Sequence, residues 1–245
     1  MAEITKTEAI VLRKTKFSDS SLITQFYTKD YGKISALLKG ARSSKSKIGS
    51  KVDLINHVEV ILYNKAEREL QLVTQVNLIE HFPQIKEDLD KIKYASAVCE
   101  LFIKLIPEHE PHDRLFRGFI RILNKINNTD QNANILFAQF LLFFTKEIGF
   151  EISFNTCSNC GEKLVITEGN AFSYSEGIIC NNCNEDKMLT FQFSAELFNL
   201  FKCLTTKNNI TSFNNKHVEN IIFILEKFLI YHNTEFKGIK SLQIL

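Results

Sequence analysis

What this 245-residue chain lacks is the first guide to its chemistry. It contains no G-x-x-x-x-G-K-S/T phosphate loop, no G-x-G-x-x-G, no H-E-x-x-H and no G-x-S-x-G. Those patterns carry nucleotide hydrolysis, dinucleotide binding, zinc proteolysis and serine hydrolysis. Nine glycines in the whole chain leave little material for a nucleotide cradle. No carboxylate cluster suggests a two-metal nuclease. No apolar run approaches the ~18 residues of a membrane span. The longest, Phe140 to Phe144, fits a buried helix. The first eight residues hold no apolar core, so no signal peptide is expected. These absences point to a cytoplasmic binding protein that is not an enzyme, with six cysteines kept reduced or on metal.

Four of those cysteines form the strongest pattern present. Cys157-Ser158-Asn159-Cys160 is followed, after nineteen residues, by Cys180-Asn181-Asn182-Cys183. Two C-x-x-C knuckles at that separation have the spacing of a tetrahedral zinc site. The spacer is strand-like at Leu164-Val165-Ile166 and Ile178-Ile179, around turn signals at Glu168-Gly169-Asn170 and Ser175-Glu176-Gly177. The pattern predicts a zinc ribbon over residues 152–190, with one ion held by Cys157, Cys160, Cys180 and Cys183. Four protein ligands leave no open position, so the zinc is expected to be structural. Cys99 and Cys203 stand alone on apolar helical segments and are expected to be buried spectators.

Charge is distributed unevenly. Residues 1–81 carry thirteen Lys/Arg against nine Asp/Glu, 82–151 nine against ten, and 152–245 eight against nine. The excess lies in the N-terminal third, a hint of a polyanionic partner. That third also has period-two alternation, in runs at Glu8–Lys14, Ser21–Thr28, Lys33–Lys39, His57–Tyr63 and Leu70–Glu80, with a hairpin loop at Asn64–Glu69. Five short strands in so few residues predict a small β-barrel over 1–81, an OB-fold or an SH3-like barrel. From Lys29 to Lys51, a stretch that includes the loop between the third and fourth strands, Lys29, Lys33, Lys39, Arg42, Lys45, Lys47 and Lys51 are interleaved with Ser and Gly, against one acid, Asp30. Such a loop can neutralise phosphates, with hydroxyls bonding phosphate oxygens, though charged loops are commonly just solvated. Phe17, Tyr27 and Tyr31 are the nearby aromatics, either stacking residues or core.

From Pro83 the apolar period lengthens toward 3.6, predicting helices at about Gln84–Ile106, His112–Asn127 and Asn132–Ile148 across 82–151. Residues 191–245 return to helix at Ala195–Leu204 and Lys216–Ile230, completing one bundle into which the ribbon is inserted. The fold class is therefore α+β, multidomain. On the second helix Arg114, Arg117 and Arg121 share one face with Lys125, either a solvated face or a docking stripe for acidic peptide or phosphate.

The chain also resembles the RecO family of bacterial recombination mediators along nearly its full length. The matching segments are T-E-A-I-V-L-R-K-T-K-F-S-D-S-S-L-I-T, then Y-G-K-I-S-A-L-L-K-G-A-R-S-S-K-S-K, the Cys₄ ribbon in a helical region, and the closing Y-H-N-T-E-F-K-G-I-K-S-L. The resemblance implies an N-terminal OB-fold and a zinc-bearing helical domain. It implies binding of single- and double-stranded DNA, annealing of complementary strands, and contacts with single-strand-binding protein and RecR. It further implies help in loading RecA, all without nucleotide hydrolysis. The family's basic surface maps onto Arg13, Lys39, Arg42, Lys45 and Lys47; with Lys33 and Lys51 from the loop they form the expected DNA-binding set. The stripe Arg114, Arg117 and Arg121 is the candidate contact for the acidic tail of single-strand-binding protein. A different reading is a zinc-ribbon regulatory or assembly subunit that binds protein or RNA. The ribbon's own charge argues against polyanion binding, with Lys163 and Lys187 facing five acids, Glu162, Glu168, Glu176, Glu185 and Asp186.

Overall fold

The structure, a computed structural model, describes residues 3–64, 68–165, 169–184, 189–205 and 213–243. Residues 65–67 of the expected hairpin loop lie outside the described residues, as do Ile166, Glu168, Glu185, Asp186 and Lys187. The chain forms two compact units, Met1–Thr129 with Lys240–Leu245, and Asp130–Ile239.

In the first unit five strands form: β1 (Glu3–Phe17), β2 (Ser21–Thr28), β3 (Gly32–Leu38), β4 (His57–Asn64) and β5 (Leu70–Glu80). They close in the order β1-β2-β3-β5-β4, with β4 pairing back onto β1 and β3 meeting β5 in parallel over Ser35–Leu37. That order is the OB barrel, which settles the choice between the two small barrels. Val11, Leu22, Phe26, Ile34, Val58, Val60, Leu62, Val73 and Val76 fill the interior. β1 is much longer than its apolar run suggested. It serves two neighbours, pairing Glu3–Ile10 with β4 and Ala9–Phe17 with β2. A bulge between Val11 and Arg13 lets one strand turn the corner.

The expected first helix is two, α1 (Pro83–Glu87) and α2 (Leu89–Leu105), followed by α3 (Asp113–Asn128). Asp88 breaks the first pair: its backbone is extended and its carboxylate accepts from the Lys91 N–H at 2.9 Å. A short polar side chain at that place favours starting a new helix over continuing the old one. These helices pack on the barrel through Tyr27, whose ring centroid lies 4.6 Å from Phe102 and 6.2 Å from Phe116. His112, the expected start of the second helix, caps α3 by accepting from the Leu115 N–H.

Lys33 lies at the same junction. It is 6% exposed, and its Nζ donates to the Ile103 carbonyl at 2.7 Å and stands 3.6 Å from Glu108. Its own carbonyl accepts from the His109 N–H at 3.0 Å. Burial pulls the Lys33 ammonium below its ordinary range, with Glu108 opposing. Gly32, at φ 64°, runs against the backbone of Glu110, 2.4 Å from where a Cβ would stand, so no other residue fits there. Replacing Lys33 with Ala leaves the Ile103 carbonyl unpaired and should cost about 1–3 kcal/mol of stability. Denaturant unfolding checks this.

The second unit holds α4 (Ala133–Glu147), the short strands β6 (Ala171–Ser173), β7 (Gly177–Ile179) and β8 (Thr190–Gln192), α5 (Ala195–Leu204) and α6 (Asn215–His232). The helices divide between the two units, α1–α3 with the barrel and α4–α6 with the ribbon. Ser194 caps α5 by accepting from Leu197 N–H at 3.2 Å. The ribbon sheet, ordered β7-β6-β8, leans on α5 and α6 through phenylalanine rings. Phe172 meets Phe228 at 5.4 Å, Phe154 meets Phe201 at 5.1 Å, and Phe193 meets Phe198 at 5.7 Å. Cys99 is buried, as expected, and burial pushes its thiol up to about 12. Cys203 is exposed, against expectation, because the buried face of α5 runs Leu197, Phe198, Phe201 and Leu204.

The closing signature is held by two carboxylates. Glu226 accepts from Ile239 N–H at 2.6 Å, and its Oε1 lies 2.8 Å from where a Cβ on Gly238 would stand. Glu100 accepts from the Lys240 and Ser241 N–H groups and the Ser241 hydroxyl at 2.8–3.0 Å. Burial opposes ionisation of Glu100, but these donors and Lys104 hold its carboxyl below the usual range.

Candidate metal centre and nucleic-acid interface

The two knuckles come together as their local turns dictate. Cys157 N–H donates to Glu162 O at 2.8 Å and Gly161 N–H to Cys157 O at 3.0 Å, closing the first. Gly161 sits at φ 76°, the conformation this turn requires. The second is a 3-10 turn, Asn181–Cys183, with Cys183 N–H donating to Cys180 O at 3.1 Å. Ser158 N–H reaches Ile178 O at 2.8 Å and locks the first knuckle onto β7. The four Sγ atoms lie within 4.8 Å of one another. Four thiolates around one zinc at about 2.3 Å would stand about 3.8 Å apart, and Cys160 and Cys180 are separated by 3.8 Å. Burial disfavours ionising Cys157, yet N–H groups of Cys160, Cys180 and Asn159 aimed at its sulfur hold its pKa down to about 6. Such a sulfur is ready to bind a cation. The donor set fits a tetrahedral, thiophilic metal with no vacant position.

The basic loop is anchored, not loose. Ala41, Val52 and the half-buried Ile48 pack into the barrel core from above. A fully buried valine contributes about 1.5–3 kcal/mol, so Val52 holds the loop down, with smaller contributions from Ala41 and Ile48. Gly49 crosses Ala41 so closely that a Cβ would meet the Ala41 carbonyl oxygen at 2.0 Å. The loop serines build its turns: Ser46 Oγ accepts from Ile48 and Gly49 N–H groups at 3.2 Å. Between these anchors Lys39, Arg42, Lys45 and Lys47 are exposed. Arg42 also ties the loop to the β1–β2 turn, donating from its N–H to Ser20 O and from Nη1 to Ser18 O at 2.8 and 3.0 Å. Arg13 is exposed on β1.

Two members of the expected set do not belong to this surface. Lys33 is buried, because its position on β3 faces the α2–α3 turn and its ammonium caps the end of α2. Lys51 is half-buried, with Nζ donating to the Val76 carbonyl at 2.8 Å. Of the aromatics, Tyr27 is core, Tyr31 packs against it, and Phe17 is 46% exposed. Arg114, Arg117 and Arg121 are exposed along α3, and Arg117 pairs with Asp113 at 2.6 Å. Sequence reasoning missed a cleft of about 700 Å³ in the second unit, lined by Leu142, Phe143, Phe154 and Leu204. Lys146 and Lys202 edge it, bound to Glu151 and Asn155. Its residues are scattered from 139 to 205, which no local pattern reveals. No helix among the described residues is long and apolar enough to cross a membrane.

Comparison with known proteins agrees with this architecture. Residues 1–82 match the family described as Recombination protein O N terminal, and residues 86–242 that described as Recombination protein O C terminal. A DNA repair protein RecO of Clostridium novyi is 28% identical over 243 residues, covering 98% of this chain and 93% of its own length. One from Dehalococcoides mccartyi is 28% identical over 233 residues, 91% of each chain. One from Chlorobium phaeobacteroides is 33% identical over 170 residues, 69% of this chain and 65% of its own. With both terminal families matched in sequence order on an OB barrel and a Cys₄-bearing helical unit, the chain belongs to the RecO family of DNA repair proteins.

Proposed function

We propose that the protein is a non-enzymatic recombination mediator. It binds single- and double-stranded DNA on the barrel, anneals complementary strands, and helps load RecA onto DNA coated by single-strand-binding protein, together with RecR. Residues 1–81 are the DNA-binding domain, and Arg13, Lys39, Arg42, Lys45 and Lys47 are the phosphate contacts. The observation that carries this reading is the anchored loop, which presents four exposed cations on a fixed base, with Arg13 exposed on β1 of the same barrel. A loop whose backbone is already fixed loses less freedom on binding, and each phosphate neutralised releases counterions. Neutralising two strands on one surface lowers their mutual repulsion, which is the barrier to annealing. The exposed guanidinium row Arg114, Arg117 and Arg121 offers the acidic tail of single-strand-binding protein its contact. One zinc ion on Cys157, Cys160, Cys180 and Cys183 staples the ribbon; with four thiolates it has no position for an attacking water.

The test is annealing of complementary oligonucleotides coated with the cognate single-strand-binding protein, without ATP, across a salt series. Acceleration that fades as salt rises supports the mediator. No acceleration at any salt, from folded and metal-loaded protein, favours the ribbon as a protein- or RNA-binding regulator instead.

A further inference from the structure

We propose that Phe17 is a base-stacking residue: an unpaired nucleobase of single-stranded DNA lies on its ring while Arg13, Lys39 and Arg42 hold the flanking phosphates. This rests on the DNA-binding reading above and adds to it a way of telling single strands from duplex.

The geometry begins at the bulge. Before it, Ala9 and Val11 face the barrel core; after it, the register pairs Arg13 with Gln25, Thr15 with Ile23 and Phe17 with Ser21. Gln25, Ile23 and Ser21 alternate with the inward Leu22, Thr24 and Phe26, so Arg13, Thr15 and Phe17 point out of the barrel. On the next strand Ile23 pairs with Leu37 and Leu22 with Leu38, and one further step places Lys39 beside Ser21. One outer face therefore carries Phe17 in the row of Ser21 and Lys39, half-buried Ile23 and Leu37 in the next row, and Arg13 in the row beyond.

A single exposed apolar residue is ordinary. Two features set Phe17 apart. Ser18, the residue after it, has φ 53°, a conformation that residues other than glycine seldom take. Arg42 fixes that same turn through Ser18 O and Ser20 O, so the basic loop and the ring are held as one piece. An aromatic face among fixed cations is the combination that binds single strands, because every base offers a π-face and every nucleotide a phosphate. In a duplex the base faces are already stacked on each other, so the ring has nothing to receive.

These 245 residues contain no tryptophan, so Phe17→Trp installs a lone reporter. Quenching of its emission by a single-stranded oligonucleotide, but not by duplex, is the expected result. Phe17→Ala should weaken single-strand binding about tenfold, with the salt dependence and duplex affinity unchanged. Wild-type binding with an unquenched tryptophan, and equal affinity in Phe17→Ala, overturns the stacking and leaves the mediator reading standing. Equal losses on single strands and duplex also overturn it, since the ring would then support the surface and read no base. If the wild type shows no salt-dependent DNA binding, both readings fall together.

Discussion

Replacing Cys157 and Cys180 with serine is expected to release the metal and unfold the ribbon while the barrel keeps its DNA affinity. The reason is the size of the ribbon. Its three strands have three residues each, and only Phe172, Ile178, Ile179, Phe193 and a few neighbours give it a core. A sheet that small is not stable by itself. Structural zinc in comparable knuckles contributes apparent binding energies of about 10–16 kcal/mol, as large as the whole stability of an ordinary domain. Losing even a third of it should lower the melting temperature of this chain by more than about 10 °C. The effect should spread to α5 and α6, because their phenylalanines complete the ribbon core. Metal analysis should find one zinc per chain in the wild type and none in the double variant. A variant that loses its metal yet melts with the wild type would show that the cysteines hold no part of the fold.

Removing Lys39, Arg42, Lys45 and Lys47 together, all to alanine, is expected to reduce DNA binding by about three orders of magnitude at 0.1 M salt. Each neutralised phosphate contributes about 0.7 to the salt slope on single strands and about 0.9 on duplex. Four such contacts lower the slope by about 3 to 4, which at a tenth of molar salt amounts to that loss in affinity. All four side chains are exposed, so stability should change little apart from the loss of the Arg42 bond to Ser18. Anisotropy titrations of a labelled oligonucleotide across salt measure both numbers. An unchanged slope would remove the loop from the DNA surface.

These residues also show what the sequence made legible. The cysteine knuckles could be read because each is a local turn, closed by backbone bonds to neighbours within five residues. The strand Ser21–Thr28 could be read to the residue because its first six positions alternate between half-buried and buried, whereas the burial along Leu70–Glu80 is irregular, with register shifts in its pairing to β4. The length of β1 could not, because Ile4-Thr5-Lys6-Thr7 is half polar and becomes strand only by pairing with β4 far along the chain. Nor could the bulge at Leu12, which decides that Phe17 faces water. Lys33 was the most misleading. It belongs to the same basic run as Lys39, and only the docking of the α2–α3 turn against β3 makes it a buried anchor. Asp88, by contrast, carried a legible signal: a good capping residue three before the first N–H it satisfies.

Lysine footprinting of the intact, metal-loaded protein asks directly which surface holds DNA. Amine-reactive labelling, read by mass spectrometry with and without a single-stranded oligonucleotide, should show Lys39, Lys45 and Lys47 protected by DNA. Exposed Lys163 beside the second cysteine of the ribbon should label equally in both samples, and buried Lys33 in neither. Protection of Lys163 with Lys39, Lys45 and Lys47 left reactive would contradict the account and move the nucleic-acid surface to the ribbon.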